Sequence, residues 1–270
     1  MTGSNLSARE RAKACLHKRF GRRTDPNGYV DRPQDNLIPG VRLDQFEPDL
    51  RRGDGNKLRM KFCAVHSSAA LTVNCFAPFK DSPGEIRLMG HHGVKSVEFE
   101  KPLRIFRGGT PANIDVWIEL DDGAIAIESK FLEYFEPKKP DFSPAYDRLA
   151  PPVSERNWWM AFTEAKKGVP QHLDRAQLLK HYFGLRHLQQ SQTTPKTLTL
   201  LYLFWEPLNW KEIAECRQHR KGVEEFAEGL AGSSIPFGWL TYSQLWSEWA
   251  EVPALKEHAG RLKTRYEVSI

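Results

Sequence analysis

The amino-acid sequence predicts an α/β domain in which helices flank one central, mixed β-sheet. Three observations lead to this prediction. Two neighbouring segments alternate apolar and polar residues on either side of an Asp-Gly pair, one later segment is apolar throughout, and segments with helical periodicity lie before, between and after them. Helices and strands in this order are typical of a sheet that is covered by helices.

The composition is that of a globular protein with a sizeable core. The chain has 270 residues, of which 40% are hydrophobic and 27% are charged, enough for one large domain or two small ones. No apolar run approaches the roughly 18–20 residues that a membrane-spanning helix needs. The first residues lead into a basic segment, not into the apolar core of a secretory signal. We therefore expect a cytoplasmic protein without membrane association.

Positive charge is concentrated near the N-terminus. The net charge is +5, and residues 1–61 hold 14 Lys and Arg against 8 Asp and Glu. A basic segment suits a polyanionic partner such as nucleic acid, although a solvated tail would explain the charge equally well. A basic helix over residues 7–19 and the irregular chain after it, rich in Pro, Gly, Asp and Asn, make up a predicted extension over residues 1–57.

The main domain is predicted to span residues 58–270. It opens with a helix over residues 58–77, where apolar residues recur with helical spacing. Three strands follow, over residues 97–103, 113–120 and 124–131. Apolar and polar residues alternate strictly in the second and third of these strands, as expected for strands with two different faces.

A long insertion separates these strands from the rest of the domain. Residues 132–160 are polar and rich in Pro, and long loops of this kind are often functional. Trp158 and Trp159 in the insertion could stack on nucleic-acid bases or pack against the domain. The elements predicted after the insertion are a helix over 173–190, a strand over 197–205 that is buried on both faces, a helix over 210–230, a strand over 235–241 and a closing helix over 242–251.

The Asp-Gly pair places charged side chains together across a predicted hairpin. If Asp122-Gly123 is a two-residue turn, Asp115 lies opposite Lys130, and Glu128 lies opposite Trp117. Because the side-chain period of a strand is two, all of these residues share one sheet face. A four-residue loop keeps the pairing, whereas a three-residue loop moves Asp115 to the opposite face.

Two carboxylates and one ammonium group on a patch of sheet suggest a site for a divalent cation. Buried charges need partners, and Mg²⁺ prefers carboxylate oxygens while keeping waters that a phosphate oxygen can replace. A bound cation lowers the pKa of water. Lys130 could orient that water, help to deprotonate it, or stabilise charge on phosphorus.

This pattern resembles the signature of the PD-(D/E)XK superfamily of restriction-endonuclease-like nucleases, in which an Asp begins one strand and Glu-x-Lys lies on its antiparallel neighbour. The residues that match are Asp115 and Glu128-Ser129-Lys130, although Ile114 stands where the name of the motif has proline. The resemblance covers about residues 60–207 and implies a restriction-endonuclease-like core with the order αβββαβ. It also implies that Asp115, Glu128 and the Ser129 carbonyl bind Mg²⁺, for which Mn²⁺ may substitute, and that Lys130 serves the water nucleophile.

The helix after the insertion supplies further candidates. Gln177, Lys180 and His181 project from neighbouring faces, and the resemblance implies a catalytic Gln177 that positions the substrate and a Lys180 that contacts phosphate. The alternative is an ordinary amphipathic helix with its polar side in water. Glu133 could bind a second metal ion, but a surface position explains it better.

Other readings of the motif stay open. Glu-x-Lys occurs three times, starting at Glu128, Glu136 and Glu164, and a cross-strand salt bridge on a solvated face would look the same in sequence. The cysteines have no CxxC spacing and His91-His92 has no ligand spacing, which argues against zinc.

The function that we expect is Mg²⁺-dependent hydrolysis of phosphodiester bonds in nucleic acid, with DNA favoured over RNA. The alternatives are a nucleic-acid-binding module of the same fold that has lost activity and a purely structural α/β protein. The sequence leaves the oligomeric state open, with a homodimer as one candidate.

Overall fold

The computed structural model describes residues 6–52, 61–106, 110–149, 155–191 and 197–270. The helices are α1 (Ala8–Phe20), α2 (Glu47–Arg52), α3 (Ser68–Phe76), α4 (Arg156–Ala165), α5 (Arg175–Ser191), α6 (Ala214–Gly229), α7 (Tyr242–Ala250) and α8 (Lys256–Tyr266). The strands are β1 (Ser96–Leu103), β2 (Ala112–Glu119), β3 (Gly123–Lys130), β4 (Thr197–Phe204) and β5 (Phe237–Thr241).

The five strands form one mixed sheet in the order β1-β2-β3-β4-β5. The first three strands are antiparallel to one another, and β3, β4 and β5 run parallel. Apart from α4, which lies between β3 and α5, the succession α3, β1, β2, β3, α5, β4 matches the predicted order αβββαβ, with β5 added at the edge. The predicted fold class, a restriction-endonuclease-like core with a central mixed sheet flanked by helices, is therefore confirmed.

Two apolar cores cover the two faces of the sheet. On one face, β-strand residues such as Val116 and Ile127 pack with α1, α3, α7 and α8. On the other face, Ala126 and Tyr202 pack with α4, α5 and α6. Helix α5 approaches β1 closely at Gly184, where a Cβ atom would lie 2.6 Å from the Leu103 Cβ. This close packing fixes α5 over the sheet face that carries the candidate site.

Local sequence signals account for the ends of α1. The Ser7 hydroxyl accepts a hydrogen bond from the Glu10 N–H, and the Glu10 carboxylate accepts one from the Ser7 N–H, which is a capping box. The helix ends at Gly21, whose φ of 65° is a left-handed conformation that suits glycine.

The N-terminal extension packs against the main domain. Ala12 and Leu16 of α1, together with Ile38 and Phe46 from the chain after it, belong to the same apolar core as the strands. The Arg9 guanidinium also forms an ion pair of 2.7 Å with Glu136. The proposed boundary near residue 57 falls outside the described residues and stays a prediction.

Three predicted elements differ from the structure. The helix predicted over residues 58–77 is described only as α3 (Ser68–Phe76), because residues 61–66 form turns and Tyr29 pairs with Ala64 in a β-bridge. The insertion is not only surface chain, since α4 begins within it and Trp158 is fully buried against Tyr182, with ring centroids 4.2 Å apart. The helix predicted to close the chain is followed by α8.

None of the helices within the described ranges combines the length and apolar composition needed to cross a membrane.

Candidate active site

The hairpin between β2 and β3 turns one residue earlier than predicted. The Leu120 N–H donates to the Gly123 carbonyl at 2.9 Å, so the two-residue loop is Asp121-Asp122 and not Asp122-Gly123. Trp117 consequently pairs with Ala126 instead of Glu128. The predicted pairings of Glu128 with Trp117 and of Asp115 with Lys130 are therefore wrong. Because the register differs by two residues, the strand faces predicted from it are unchanged.

Gly123 is required by the neighbouring strand and not by the turn. Its backbone belongs to β3, and a Cβ atom there would lie 2.1 Å from the Thr197 carbonyl oxygen of β4. The Thr197 N–H donates to the Asp122 carbonyl at 3.1 Å. A glycine therefore allows β3 and β4 to pair closely at their start.

Strands β2 and β3 separate beyond the pair Val116–Ile127. β3 continues to pair with β4 as far as Lys130, while β2 continues to pair with β1. The Ser129 N–H donates to a carboxylate oxygen of Asp115 at 2.8 Å. The fork between the strands thus holds Asp115 beside the last residues of β3.

The backbone of β1 and β2 is irregular beside this fork. Glu100, a buried residue of β1 between the paired residues Phe99 and Lys101, has a φ of 53°. On β2, Ile114 packs in the core beneath α5, whereas Val116 packs in the opposite core. The strict alternation predicted for this strand would place Ile114 and Val116 on one face, and this is wrong, because the regular alternation of β2 does not extend to Ile114.

Glu128, at the centre of the site, is fully buried and has a cationic or hydrogen-bonding partner at each carboxylate oxygen. The Lys130 ammonium donates to Oε1 at 2.5 Å. His181 Nε2, from α5, donates to Oε2 at 2.7 Å. The predicted pair on β3 is thus joined by a histidine for which the sequence predicted no role.

Helix α5 brings Gln177 to the site but directs Lys180 elsewhere. The Gln177 Oε1 accepts a hydrogen bond of 2.6 Å from the Lys130 ammonium. The Lys180 ammonium lies over the ring of Phe142, 5.7 Å from its centroid. The residue that joins Gln177 at the site is His181, one helical turn further along α5, and this i, i+4 spacing is the signal that could have identified it.

The charges at the site act on one another. Burial would raise the pKa of Glu128, but Lys130 and His181 outweigh it and lower that pKa to about 2. Burial would lower the pKa of Lys130, but Glu128, Glu133 and Asp115 outweigh it and raise that pKa. Burial and the neighbouring Glu128 carboxylate raise the pKa of Asp115 well above its usual range, although Asp115 keeps part of its surface exposed.

Ser129 connects the site to the opposite face of the sheet. Its hydroxyl is hydrogen-bonded to the Thr72 hydroxyl of α3 at 2.8 Å and to the Tyr242 hydroxyl of α7 at 2.7 Å. These bonds fix the part of β3 whose backbone carbonyl is a candidate metal ligand.

The donor set suits a hard cation such as Mg²⁺. Asp115 and Glu128 supply carboxylates whose mutual repulsion a cation would relieve, and Mg²⁺ is commonly bound by one or two carboxylates plus water. Among the described residues, no group of three or more His, Cys, Asp or Glu side chains could hold a metal ion. Backbone carbonyl and water ligands would therefore have to complete the coordination.

Comparison with known proteins places the chain in a family. None of the curated proteins and none of the solved structures compared with it matches. A family described as restriction endonuclease associating with ARP matches residues 6–267, nearly the whole chain. The predicted resemblance to restriction-endonuclease-like proteins is thereby confirmed, and the chain belongs to this family.

Proposed function

We propose that the protein is a metal-dependent endonuclease that hydrolyses phosphodiester bonds, most readily in DNA. The family suggests nuclease activity. The observation that carries the proposal is the position of the Lys130 ammonium. It lies between Glu128 and Gln177, on a strand whose Ser129 N–H is bonded to Asp115.

Asp115, Glu128 and the Ser129 carbonyl would hold Mg²⁺, or Mn²⁺ in its place. When bound, such a cation supplies a water of lowered pKa and neutralises charge on the phosphate. His181 donates a hydrogen bond of 2.7 Å to Oε2 of Glu128 and thereby fixes the orientation of the carboxylate, whose Oε1 lies beside the Lys130 ammonium. We assign His181 the role of a positioning residue, as expected for groups that hydrogen-bond a metal ligand.

Lys130 acts as a cation and hydrogen-bond donor. In the metal-free protein the surrounding carboxylates raise its pKa, so its amine is protonated at neutral pH. A protonated ammonium orients a water or stabilises negative charge at phosphorus, and does not accept a proton. Gln177 holds the ammonium in place through the 2.6 Å hydrogen bond.

Lys180 is proposed to contact a substrate phosphate. For this role its side chain must leave the Phe142 ring, a cation–π contact of the kind worth about 0.5–1 kcal/mol at exposed sites. The energetic cost of this movement is small, so the present contact is compatible with the proposal.

The test is a nicking assay on supercoiled plasmid with Mn²⁺ or Mg²⁺. We expect cleavage by the wild type, and losses of at least about 100-fold for Lys130→Ala and Asp115→Asn, as for removal of one transition-state donor. Lys166→Ala is the matched control, because Lys166 ends another Glu-x-Lys and pairs with Asp147 at the surface.

Three outcomes distinguish the alternatives. Cleavage that depends on Lys130 and Asp115 but not on Lys166 supports the nuclease. DNA binding without cleavage under any metal condition identifies a binding module of the same fold. Equal cleavage by all variants would mean that the activity arises elsewhere, and would reject this site.

A further inference from the structure

A pocket with several arginines in its lining lies away from the candidate active site, between α1 and α8. Its volume is about 510 Å³. The charged residues in its lining are Arg19, Arg22, Arg261, Arg265 and Glu257. Four guanidinium groups thus face one carboxylate.

Most of this positive charge is not neutralised within the pocket. Arg19 donates to the Glu267 carbonyl at 2.9 Å, and Arg22 donates to the Leu37 carbonyl at 3.3 Å. Carbonyl groups accept hydrogen bonds but carry no net charge. From outside the lining, the Glu267 carboxylate acts on Arg19, and the Asp35 carboxylate, which is itself paired with Arg32, acts on Arg22.

Arg261 is the arginine of the pocket with an acidic partner. Its guanidinium pairs with Glu257 at 2.6 Å and also donates to the Pro39 carbonyl at 2.9 Å. Because Arg261 and Glu257 neutralise each other, the remaining charged residues in the lining of the pocket are Arg19, Arg22 and Arg265.

Arg265 is the strongest indication of a ligand. Its residue surface is only 8% exposed, and its Nη2 donates to the Val65 carbonyl at 2.8 Å. Its Nε and Nη1 have no hydrogen-bond partner among the residues that the structure describes. The guanidinium carbon lies 4.5 Å from the centroid of the Phe20 ring, which also lines the pocket. The ring attracts the face of the guanidinium group, but it does not accept hydrogen bonds from the N–H groups at the edge of that group.

An uncompensated guanidinium in this position costs free energy. Burial lowers the pKa of Arg265, and the charge of Arg22 adds to this effect. A buried charge is normally paired, because its desolvation is otherwise unfavourable. An anion that enters the pocket would offset the repulsion between Arg22 and Arg265 through its negative charge.

We infer that this pocket binds a phosphate group. Guanidinium forks match the oxygen geometry of phosphate and form paired, charge-assisted hydrogen bonds with it. The volume admits a phosphate with the group that carries it. The phosphate belongs either to a nucleic-acid strand or to a small phosphorylated molecule, and both sources offer the same chemistry.

The experiment compares wild type with the double variant Arg19→Gln/Arg22→Gln. This variant removes two of the three unpaired charges and keeps Arg265 with its internal bonds and the ion pair between Arg261 and Glu257. The matched control is Arg51→Gln/Arg217→Gln, which removes two arginines from exposed positions elsewhere. Thermal unfolding with inorganic phosphate reports on the pocket. Binding of a 20-base-pair DNA duplex over a series of salt concentrations reports on nucleic acid.

We expect phosphate to raise the unfolding temperature of the wild type and of the control, and not that of the pocket variant. If the phosphate comes from nucleic acid, duplex affinity falls about tenfold in the pocket variant and the salt slope falls by about 1 for each lost phosphate contact. If it comes from a small molecule, phosphate stabilisation is lost but duplex binding is unchanged. Either pattern supports the inference.

Equal stabilisation of the wild type and the pocket variant by phosphate, or no stabilisation of either, would overturn it. The inference is separate from the proposed nuclease. Glu128→Gln, a variant at the candidate active site, should keep the phosphate response in full. A protein that fails to cleave DNA can therefore still pass this test.

Discussion

The Ser129 backbone N–H donates a hydrogen bond to the Asp115 carboxylate where the ladder between β2 and β3 stops. An N–H group that loses its strand partner needs another acceptor. The carboxylate provides that acceptor and is held beside Glu128 as a result. The same contact therefore completes the backbone of β3 and places two like charges together.

The repulsion at Asp115 predicts that Asp115→Asn stabilises the metal-free protein. The pKa of Asp115 is raised above its unfolded value of 3.8, so its contribution to stability is full below that pH and is lost as the pH rises through the folded-state pKa. At pH 7 the folded wild type is therefore less stable than it would be without the Asp115 carboxyl group, whose charged form is disfavoured by burial and by Glu128. Asparagine keeps an acceptor for the Ser129 N–H and removes the charge.

We expect the free energy of unfolding of Asp115→Asn at pH 7, in EDTA, to exceed that of wild type by about 0.5–2 kcal/mol, the usual gain from a single stabilising substitution. Urea denaturation measures this difference. Added Mn²⁺ should stabilise the wild type and not the variant. A variant that is less stable than wild type in EDTA would show that Asp115 is not under electrostatic strain.

His181→Ala is expected to weaken metal binding and cleavage together. The imidazole donates to the buried Glu128 carboxylate, and loss of such a partner of a metal ligand typically costs about 10–100-fold in affinity or activity. His187→Ala is the control, because His187 is exposed on the same helix. Titration with Mn²⁺ and the nicking assay provide the two readouts.

The conservative variant His181→Gln separates positioning from packing. A glutamine amide can donate to Glu128, so we expect partial recovery of Mn²⁺ affinity relative to His181→Ala. Equal Mn²⁺ affinity of His181→Ala and wild type would exclude a positioning role.

Ser129→Ala should reduce stability without removing activity. The variant loses buried hydrogen bonds to Thr72 and Tyr242, which costs about 1–3 kcal/mol when polar groups are left unsatisfied. The backbone carbonyl, the proposed metal ligand, is unchanged. We therefore expect a lower urea midpoint but near-normal cleavage by the folded protein.

Ser143→Ala is the matched control for that experiment, because Ser143 is exposed and its side chain makes no capping bond. Its urea midpoint should equal that of wild type. If Ser129→Ala abolishes cleavage while remaining folded, the hydroxyl bonds to Thr72 and Tyr242 are required to position the Ser129 carbonyl, contrary to the purely stabilising role predicted for the hydroxyl.

For β2 and β3, the sequence predicted which side chains lie on the same face of the sheet more accurately than it predicted which residues pair across the two strands. Alternation along β2 and β3 placed Trp117 and Glu128 on one side, and this holds because the period of two is a property of any extended strand. The pairing depended on where the turn lies, and Asp-Gly suggested the wrong two residues. Gly123 is needed for the approach of β4, a contact that no pattern local to the hairpin reveals.

The contacts of α5 show the same limit. Helical spacing placed Gln177, Lys180 and His181 on neighbouring faces, but spacing alone could not show which face meets β3. The fork between β2 and β3 and the packing of Gly184 against Leu103 decide this in three dimensions. The contact between Glu128 and His181 is a consequence of that packing.

Gly123→Ala tests how closely the hairpin must approach β4. The new Cβ would lie 2.1 Å from the Thr197 carbonyl oxygen. This oxygen belongs to the backbone of β4, so it cannot move aside as the end of a flexible side chain could. Overpacking of this kind costs about 1–3 kcal/mol, so we expect a lower urea midpoint. The shift should also displace β3, the strand that carries Glu128 and Lys130, and should lower cleavage by the molecules that remain folded.

Gly229→Ala is the control for this prediction, because a Cβ at the end of α6 meets no atom within 4 Å. A Gly-to-Ala change at a compatible position stabilises by about 0.4–1 kcal/mol through the unfolded chain. The two substitutions make the same chemical change, but their effects on the urea midpoint should have opposite signs, because only the Cβ at position 123 meets a backbone atom. Equal urea midpoints for both variants would show that β3 and β4 do not approach each other at Gly123, and the register that positions Glu128 and Lys130 would have to be revised.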